Sequence, residues 1–268
     1  MLLIFRLLLC CPLPLGLRIA LWRGVRSVCG LPRFTVGSRL TMFVDFENLL
    51  DRMVVDGVNL NPFFTSAVAQ YADSPGDVIL DSGATHGFMS LYAKAVCPHA
   101  VVIAIEPSHR EVQRLLRNLD LSGMSIPVVV AAAGSEMISL RLSPAGNMGM
   151  STTHAVGESA GAAPVTGLDL GRFLGIDVLR QARVVKLDIE GSELPVLREL
   201  PLAEMQRAVF VVECLADTPR HAAATDAVYE LFRANGFEPH YRPCGRDDWE
   251  EVFYAPGHNP PPVFSADL

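Results

Sequence analysis

Val78-Ile79-Leu80-Asp81-Ser82-Gly83-Ala84-Thr85-His86-Gly87 is the stretch that decides the fold. An apolar run ends in an acid, two glycines follow four residues apart, and an amphipathic pattern then begins. That order reads as a strand, a tight loop and the start of a helix. Glycine tolerates positive φ and lets backbone approach a ligand closely, and a helix start offers free N–H groups. A second apolar run, Val101 to Ile105, ends in Glu106. This acid falls about where the ribose-binding acid of a dinucleotide-type βαβ unit falls, roughly 20 residues beyond the glycine loop.

Outward from this unit the alternation continues. Ser108-His109-Arg110-Glu111 is a capping box, and Val112, Leu115, Leu116 and Leu119 form a helical stripe that Gly123 stops. Further strands are expected at Val128–Ala132, Val184–Asp188 and Ala208–Glu213, with helices near Ser192–Leu200 and Arg220–Ala234. Two last strands, near Phe237–Tyr241 and Glu251–Tyr254, have no helix between them. Strands alternating with helices imply a mostly parallel sheet covered on both faces, with an antiparallel edge from the final pair. Between Arg141 and Thr166 the periodicity vanishes into Gly, Ser, Thr, Ala and Met, which reads as a long loop of the lid or binding type.

Before the core, Arg33–Asp45 reads as a small strand pair, and Asn61-Pro62 as the cap and first position of a helix. Residues 1–32 read as an apolar, basic tail, 33–76 as a preceding strand pair and helix, 77–256 as the ligand-binding domain and 257–268 as a C-terminal tail. The uncharged stretch Leu7 to Leu17 is shorter than the ~20 residues of a spanning helix. We therefore expect a dispensable tail with weak membrane association at most. An export signal or a non-native start of the reading frame are the alternatives. The six cysteines form no CxxC and the seven histidines no HxxxH, so no metal site is expected and a reducing, cytoplasmic setting is the simpler reading. A net charge of −7 without a basic block argues against a nucleic-acid partner.

Four landmarks now stand in order: Asp81-Ser82-Gly83-Ala84-Thr85-His86-Gly87, Glu106-Pro107, Ala131-Ala132-Ala133-Gly134, and Val184-Val185-Lys186-Leu187-Asp188-Ile189-Glu190-Gly191-Ser192-Glu193. Together they resemble the FkbM-type family of S-adenosylmethionine-dependent methyltransferases, from about residue 77 to 254. The K-x-D-x-E-G-x-E run is the most specific of them. The resemblance implies a class I methyltransferase (Rossmann-like) sheet of seven strands, mostly parallel, with an antiparallel last strand and helices on both faces. It implies S-adenosylmethionine as methyl donor and a hydroxyl on a sugar, glycan or secondary metabolite as acceptor. The chain departs from the family pattern at Thr85, where Asn is common, and at His86, where an aliphatic residue is usual; His86 would place a titratable group near a cationic ligand.

On this reading Glu106 accepts the ribose hydroxyls, Asp81 faces the methionine end, Gly83, Thr85 and Gly87 form the loop around the ligand, and Ala132 and Ala133 flank the adenine. Asp188 is the expected base or acceptor-orienting group, supported by Lys186 and Glu190, because charge beside a buried strand is costly unless partnered. Glu193 serves helix or site equally. His154 and Glu213 are candidates for the acceptor pocket, with Met148 and Met150 as a soft wall. Two other functions fit the same loop: a nicotinamide-dependent oxidoreductase, which lacks support from a GxGxxG fingerprint or a Tyr-x-x-x-Lys pair, and a non-catalytic S-adenosylmethionine-binding domain.

Overall fold

The structure, a computed structural model, describes residues 1–36, 40–72, 74–134, 138–141, 152–155, 163–240 and 247–257, without the side chains of 138–141, 152–155 and 163–164. Helices α1 (Leu2–Cys10) and α2 (Leu15–Cys29) precede an antiparallel pair, β1 (Arg33–Val36) and β2 (Leu40–Phe43). Helices α3 (Leu49–Val55) and α4 (Pro62–Tyr71) follow. Asn61 caps α4 as expected, its side chain accepting the Phe64 N–H at 2.8 Å.

The core then runs β3 (Val78–Ser82), α5 (Phe88–Val96), β4 (Val101–Ile105), α6 (His109–Ser122) and β5 (Val128–Val129). Next come β6 (Ala132–Ala133), β7 (Ile138–Arg141), β8 (Thr152–Ala155), β9 (Ala163–Val165), β10 (Gly167–Leu168), α7 (Leu170–Leu174) and α8 (Ile176–Arg180). The chain ends through β11 (Ala182–Leu187), α9 (Glu193–Glu199), β12 (Val209–Leu215), α10 (Pro219–Ala234), β13 (Glu238–Pro239) and β14 (Asp248–Tyr254).

Seven strands form the main sheet in the order β13-β14-β12-β11-β3-β4-β5. β12, β11, β3, β4 and β5 are parallel, and β14 runs antiparallel to both of its neighbours. This is the expected class I methyltransferase arrangement. Alternate residues feed two cores, one on each face. Ile79, Val102 and Val184 pack with Phe64, Leu91 and Leu115, while Leu80, Ile103 and Val185 pack with Val196, Phe210 and Phe232. Burial on both faces explains why these strands are unbroken apolar runs.

Three sequence expectations are corrected. Strand Val128–Ala132 breaks after Val129, and Ala132–Ala133 pairs instead with Gly167–Leu168 in a separate two-stranded sheet. The stretch read as one long loop holds a three-stranded antiparallel sheet, in the order β8-β7-β9; Met148 and Met150 lie outside the described residues. The apolar start of the chain, read as a tail, forms a helical hairpin packed on the core. Phe5 and Trp22 are fully buried and meet Phe46 edge-on or tilted, with ring centroids 5.3 to 6.1 Å apart. Among the described residues no helix is long and apolar enough to cross a membrane.

The Trp22 indole N–H donates to Asp45 at 2.7 Å, and Arg26 pairs with the other oxygen of that carboxylate. Trp22→Ala therefore removes a large buried ring and strands a buried acceptor. Urea denaturation is expected to register a loss of about 3–5 kcal/mol, the usual range for an aromatic deleted from a core. A loss under about 1 kcal/mol would mean that the hairpin contributes little to the fold.

Candidate active site

The parallel strands β3, β4, β11 and β12 deliver an acid at or just beyond their carboxyl ends: Asp81, Glu106, Asp188 and Glu213. Open α/β sheets bind ligands at this edge. A cleft of about 210 Å³ lies there, lined by Gly83, Ala84, Thr85, Glu106, Ala132, Ala133, Lys186, Asp188, Glu190 and Glu213 among others.

The glycine loop is shaped by three left-handed residues, Gly83 (φ 80°), Thr85 (φ 47°) and Gly87 (φ 90°). The first of these must be glycine, since a Cβ there would sit 1.8 Å from the Asp188 carbonyl oxygen. Gly87 does not reach the cleft. Its lack of a Cβ serves packing, because a Cβ would meet Leu115 Cγ at 2.7 Å and Leu91 Cδ1 at 2.9 Å.

Glu106 is buried and held by two backbone donors, the Thr85 N–H on Oε2 and the Ser108 N–H on Oε1, each at 2.8 Å. One carboxylate thus clamps the glycine loop to the start of α6 and keeps a lone pair on each oxygen for a ligand. Burial pushes this carboxyl up to about 7, against the pull of the two N–H groups and Lys186.

Asp81 is placed differently from expectation. It is fully buried beneath the cleft, where it accepts from the Ser90 hydroxyl and lies 3.6 Å from Lys186 Nζ. The register explains this, since Asp81 and Lys186 are partners on neighbouring parallel strands. Lys186 Nζ also pairs with Asp188 at 2.9 Å. Burial alone would lower this ammonium, but Asp188 and Asp81 outweigh it and raise the pKa above the ordinary lysine value. Lys186 is a fixed cation, not a base.

Beyond β11 the chain turns through Glu190, a non-glycine residue at φ 59°, and Gly191 at φ 94°. Glu193 Oε1 clasps this turn by accepting the Ile189 N–H at 2.9 Å and the Gly191 N–H at 3.3 Å. Its role is local architecture. Glu213 Oε2 accepts the Glu190 N–H at 3.2 Å. Asp188, Glu190 and Glu213 each present a carboxylate oxygen within 4.8 Å of the others. Burial, then the charges of Asp188, Glu193 and Asp248, push Glu190 up to about 8. Burial followed by neighbouring carboxylates raises Glu213 as well. Among the described residues one lysine faces several acids, and this edge is short of positive charge. A cationic ligand is what such a donor set accommodates, and the same three oxygens have the chemistry to hold a metal cation.

His86 points away from the cleft, contrary to expectation. Its buried ring lies 3.2 Å from Asp51, which also pairs with Arg114 at 2.6 Å and accepts the Asp45 N–H at 2.7 Å. Burial, then Arg114, push the imidazole down to about 3, while burial pushes Asp51 up to about 6. The backbone of His154 lies in β8, and its side chain is outside the described residues.

Sequence reasoning missed the apolar wall of the cleft. Leu50 and Leu60 come from the segment before the core, and Phe88 and Met89 from the first turn of α5. Phe88 is buried and lines the cleft at once, and an apolar residue in a helix carries no sequence sign of such a double role.

Residues 81–239 match the family described as Methyltransferase FkbM domain. "Methyltransferase 1" of Beauveria bassiana is 29% identical over 154 residues, which are 50% of this chain and 61% of that protein. The chain thus aligns with less than two thirds of that relative's length. Among solved structures, TYW2 of M. jannaschii in complex with AdoMet is similar with a TM-score of 0.43 at 12% identity, over 83% of this chain and 84% of that one. Precorrin-6y C5,15-methyltransferase of Geobacter metallireducens is similar at 0.40 and 15%, over 72% and 85%.

The His86 placement has a measurable consequence. Its folded pKa of about 3 lies below the ordinary 6.5, so only the unfolded chain gains a proton between these values. The stability tied to its neutral form is complete above about 6.5 and is lost as pH falls toward 3. Relative to wild type, His86→Leu should gain stability on acidification through this window, by at most about 1.4 kcal/mol per pH unit. Parallel denaturation curves at pH 7 and pH 5 check it; a wild type–variant gap independent of pH would contradict the neutral, buried ring.

Proposed function

The chain belongs to the family of FkbM methyltransferase domains, and from that premise we propose that it is an S-adenosylmethionine-dependent methyltransferase acting on a hydroxyl of a sugar, glycan or secondary metabolite. The observation that carries this reading is the charge of the cleft: carboxylates from neighbouring strand ends converge on one opening with Lys186 as their partner ammonium.

The residues present fit the cofactor. Glu106, fixed by two N–H donors, has acceptor capacity left for a ribose diol. Gly83 and Thr85 bring backbone to the cleft, and Ala132 and Ala133 provide a small-residue wall for a planar base. When bound, S-adenosylmethionine supplies an electrophilic methyl group on a sulfonium centre, a good leaving group. The protein's share is alignment, worth up to roughly 7–11 kcal/mol of barrier, together with removal of the acceptor's proton.

Asp188 and Glu190 divide that task. Asp188 is tied to Lys186 Nζ at 2.9 Å, which fixes its carboxylate beside the cleft. It orients the acceptor hydroxyl. Glu190, raised to about 8, sits near the working pH where a general base is most effective. It takes the hydroxyl proton as the oxygen bonds to the methyl carbon. Glu213 holds the backbone of Glu190 in place.

Calorimetry with S-adenosylhomocysteine and with NAD tests the cofactor, since preferential NAD binding overturns the proposal. Glu106→Gln should weaken S-adenosylhomocysteine binding by about 10- to 100-fold, the loss of hydrogen bonds to a charged acceptor. Glu190→Gln should leave that affinity within a few-fold and lower kcat by about 10²–10⁴-fold, the usual worth of a positioned base. Wild-type kcat/KM should rise with pH through about 8, because Glu190 must lose its proton to act, and the variant should lose this limb. An unchanged pH profile in Glu190→Gln would exclude it as the base.

A further inference from the structure

The helical hairpin at the start of the chain is half core and half unexplained surface. Phe5, Leu8 and Trp22 anchor it. None of residues 9–21, however, is buried. That run is Leu-Cys-Cys-Pro-Leu-Pro-Leu-Gly-Leu-Arg-Ile-Ala-Leu, with Arg18 as its one charged residue. The Arg18 guanidinium turns inward to donate to the Leu8 and Leu9 carbonyls at 3.0 and 3.1 Å, finishing the end of α1. Leu13, Leu15 and Leu17 are exposed at the α1–α2 turn, and Leu7 at 61% exposure, Leu3 and Leu21 continue the exposed apolar surface along the two helices. The other large exposed apolar residues of the described chain are spread over the remaining sequence from Leu49 to Ile176, as on ordinary surfaces. A concentrated patch of this kind marks an interaction site.

Charge identifies the partner. The whole chain carries −7, yet its first 44 residues contain six arginines and not one Asp or Glu. Arg6, Arg18, Arg23, Arg26 and Arg33 all belong to the hairpin or the strand that follows it; Arg23 and Arg26 are shared with Glu47 and Asp45 and Arg18 is turned inward, so the five arginines still outnumber these two acids and Arg6 and Arg33 face solvent. A second copy of the hairpin would bring like charges together. A surface that is apolar just beneath and negative on top satisfies both features at once, which is the composition of an interfacial amphipathic element on anionic lipid. With no helix of the described residues able to span, the mode is insertion of the tip among headgroups.

We infer that the α1–α2 hairpin docks this protein onto the surface of anionic lipid bilayers through Leu7, Leu13, Leu15 and Leu17. This holds whatever the chain methylates, and its readout is independent of turnover. The test is co-flotation of the full chain with vesicles of phosphatidylcholine alone and of phosphatidylcholine mixed with phosphatidylglycerol, at low and high salt. The double substitution Leu13→Glu, Leu17→Glu is compared, since both positions are exposed and the melting temperature should be unchanged. The expected result is flotation with the anionic vesicles, weakened by salt, and reduced by about tenfold or more in the double variant. No flotation of the wild type with anionic vesicles overturns the inference, as does equal flotation of the variant or equal binding to neutral vesicles. Sedimentation velocity provides a separate check: a wild-type dimer that the double substitution turns into a monomer, without vesicle binding, would assign the tip to self-association instead.

Discussion

A single buried ammonium organises the carboxyl edge of the sheet. Lys186 lies between Asp81 on one adjacent strand position and Asp188 just beyond its own strand, with Gly83 O 3.4 Å away. Taking these charges out of water costs several kcal/mol per ion, and only close partners offset that cost. The arrangement therefore has little freedom. Asp81 cannot leave for the ligand without stranding Lys186, and Asp188 cannot swing away without leaving the lysine half paired. The glycine loop is fitted against this assembly, because the Asp188 carbonyl occupies the space where a side chain at position 83 would go. Loop and strand ends are thus tied together by shared contacts, which is the kind of fixed geometry that alignment-based catalysis asks of a protein.

That constraint explains which part of the site was legible in the sequence. Strand identity and the position of Glu106 follow from apolar runs and spacing, because burial on both faces leaves a composition signature, whereas the seven-stranded arrangement came from the family resemblance. The direction in which a strand-end acid points leaves none. Asp81 and Glu106 look equivalent as acids closing apolar runs, yet one is consumed by a lysine a hundred residues away while the other opens on the cleft. Only the parallel register of the two strands, Lys186 opposite Asp81, separates them. The same holds for Gly87, whose spacing suggests ligand contact and whose neighbours, Leu91 and Leu115, show a packing role.

Other features were hidden for different reasons. Helices α7 and α8 are five residues each, too short for a periodic signal. Strands β7, β8 and β9 lie in a stretch rich in small residues, where neither alternation nor a helical stripe stands out. The hairpin was obscured by its own composition. A helix pair that buries one aromatic per helix and exposes leucines on the rest has no apolar-in, polar-out contrast to detect. Its docking depends on long-range partners, Phe46 and Asp45, that no local window contains.

The hairpin and the glycine loop are joined through polar groups, not apolar ones alone. Trp22 and Arg26 hold Asp45; the Asp45 N–H holds Asp51; and Asp51 meets both Arg114 and His86. His86 stands one residue beyond Thr85, whose N–H is held by Glu106 in the cleft. An aliphatic residue at position 86 would end this chain at Asp51. With histidine there, the loop that shapes the cleft shares a buried network with the segment that carries the exposed apolar tip. Because an unpaired group in such a network is costly, the members favour being formed together. Histidine at position 86 therefore places the glycine loop in the same buried polar network as the segment against which the hairpin docks.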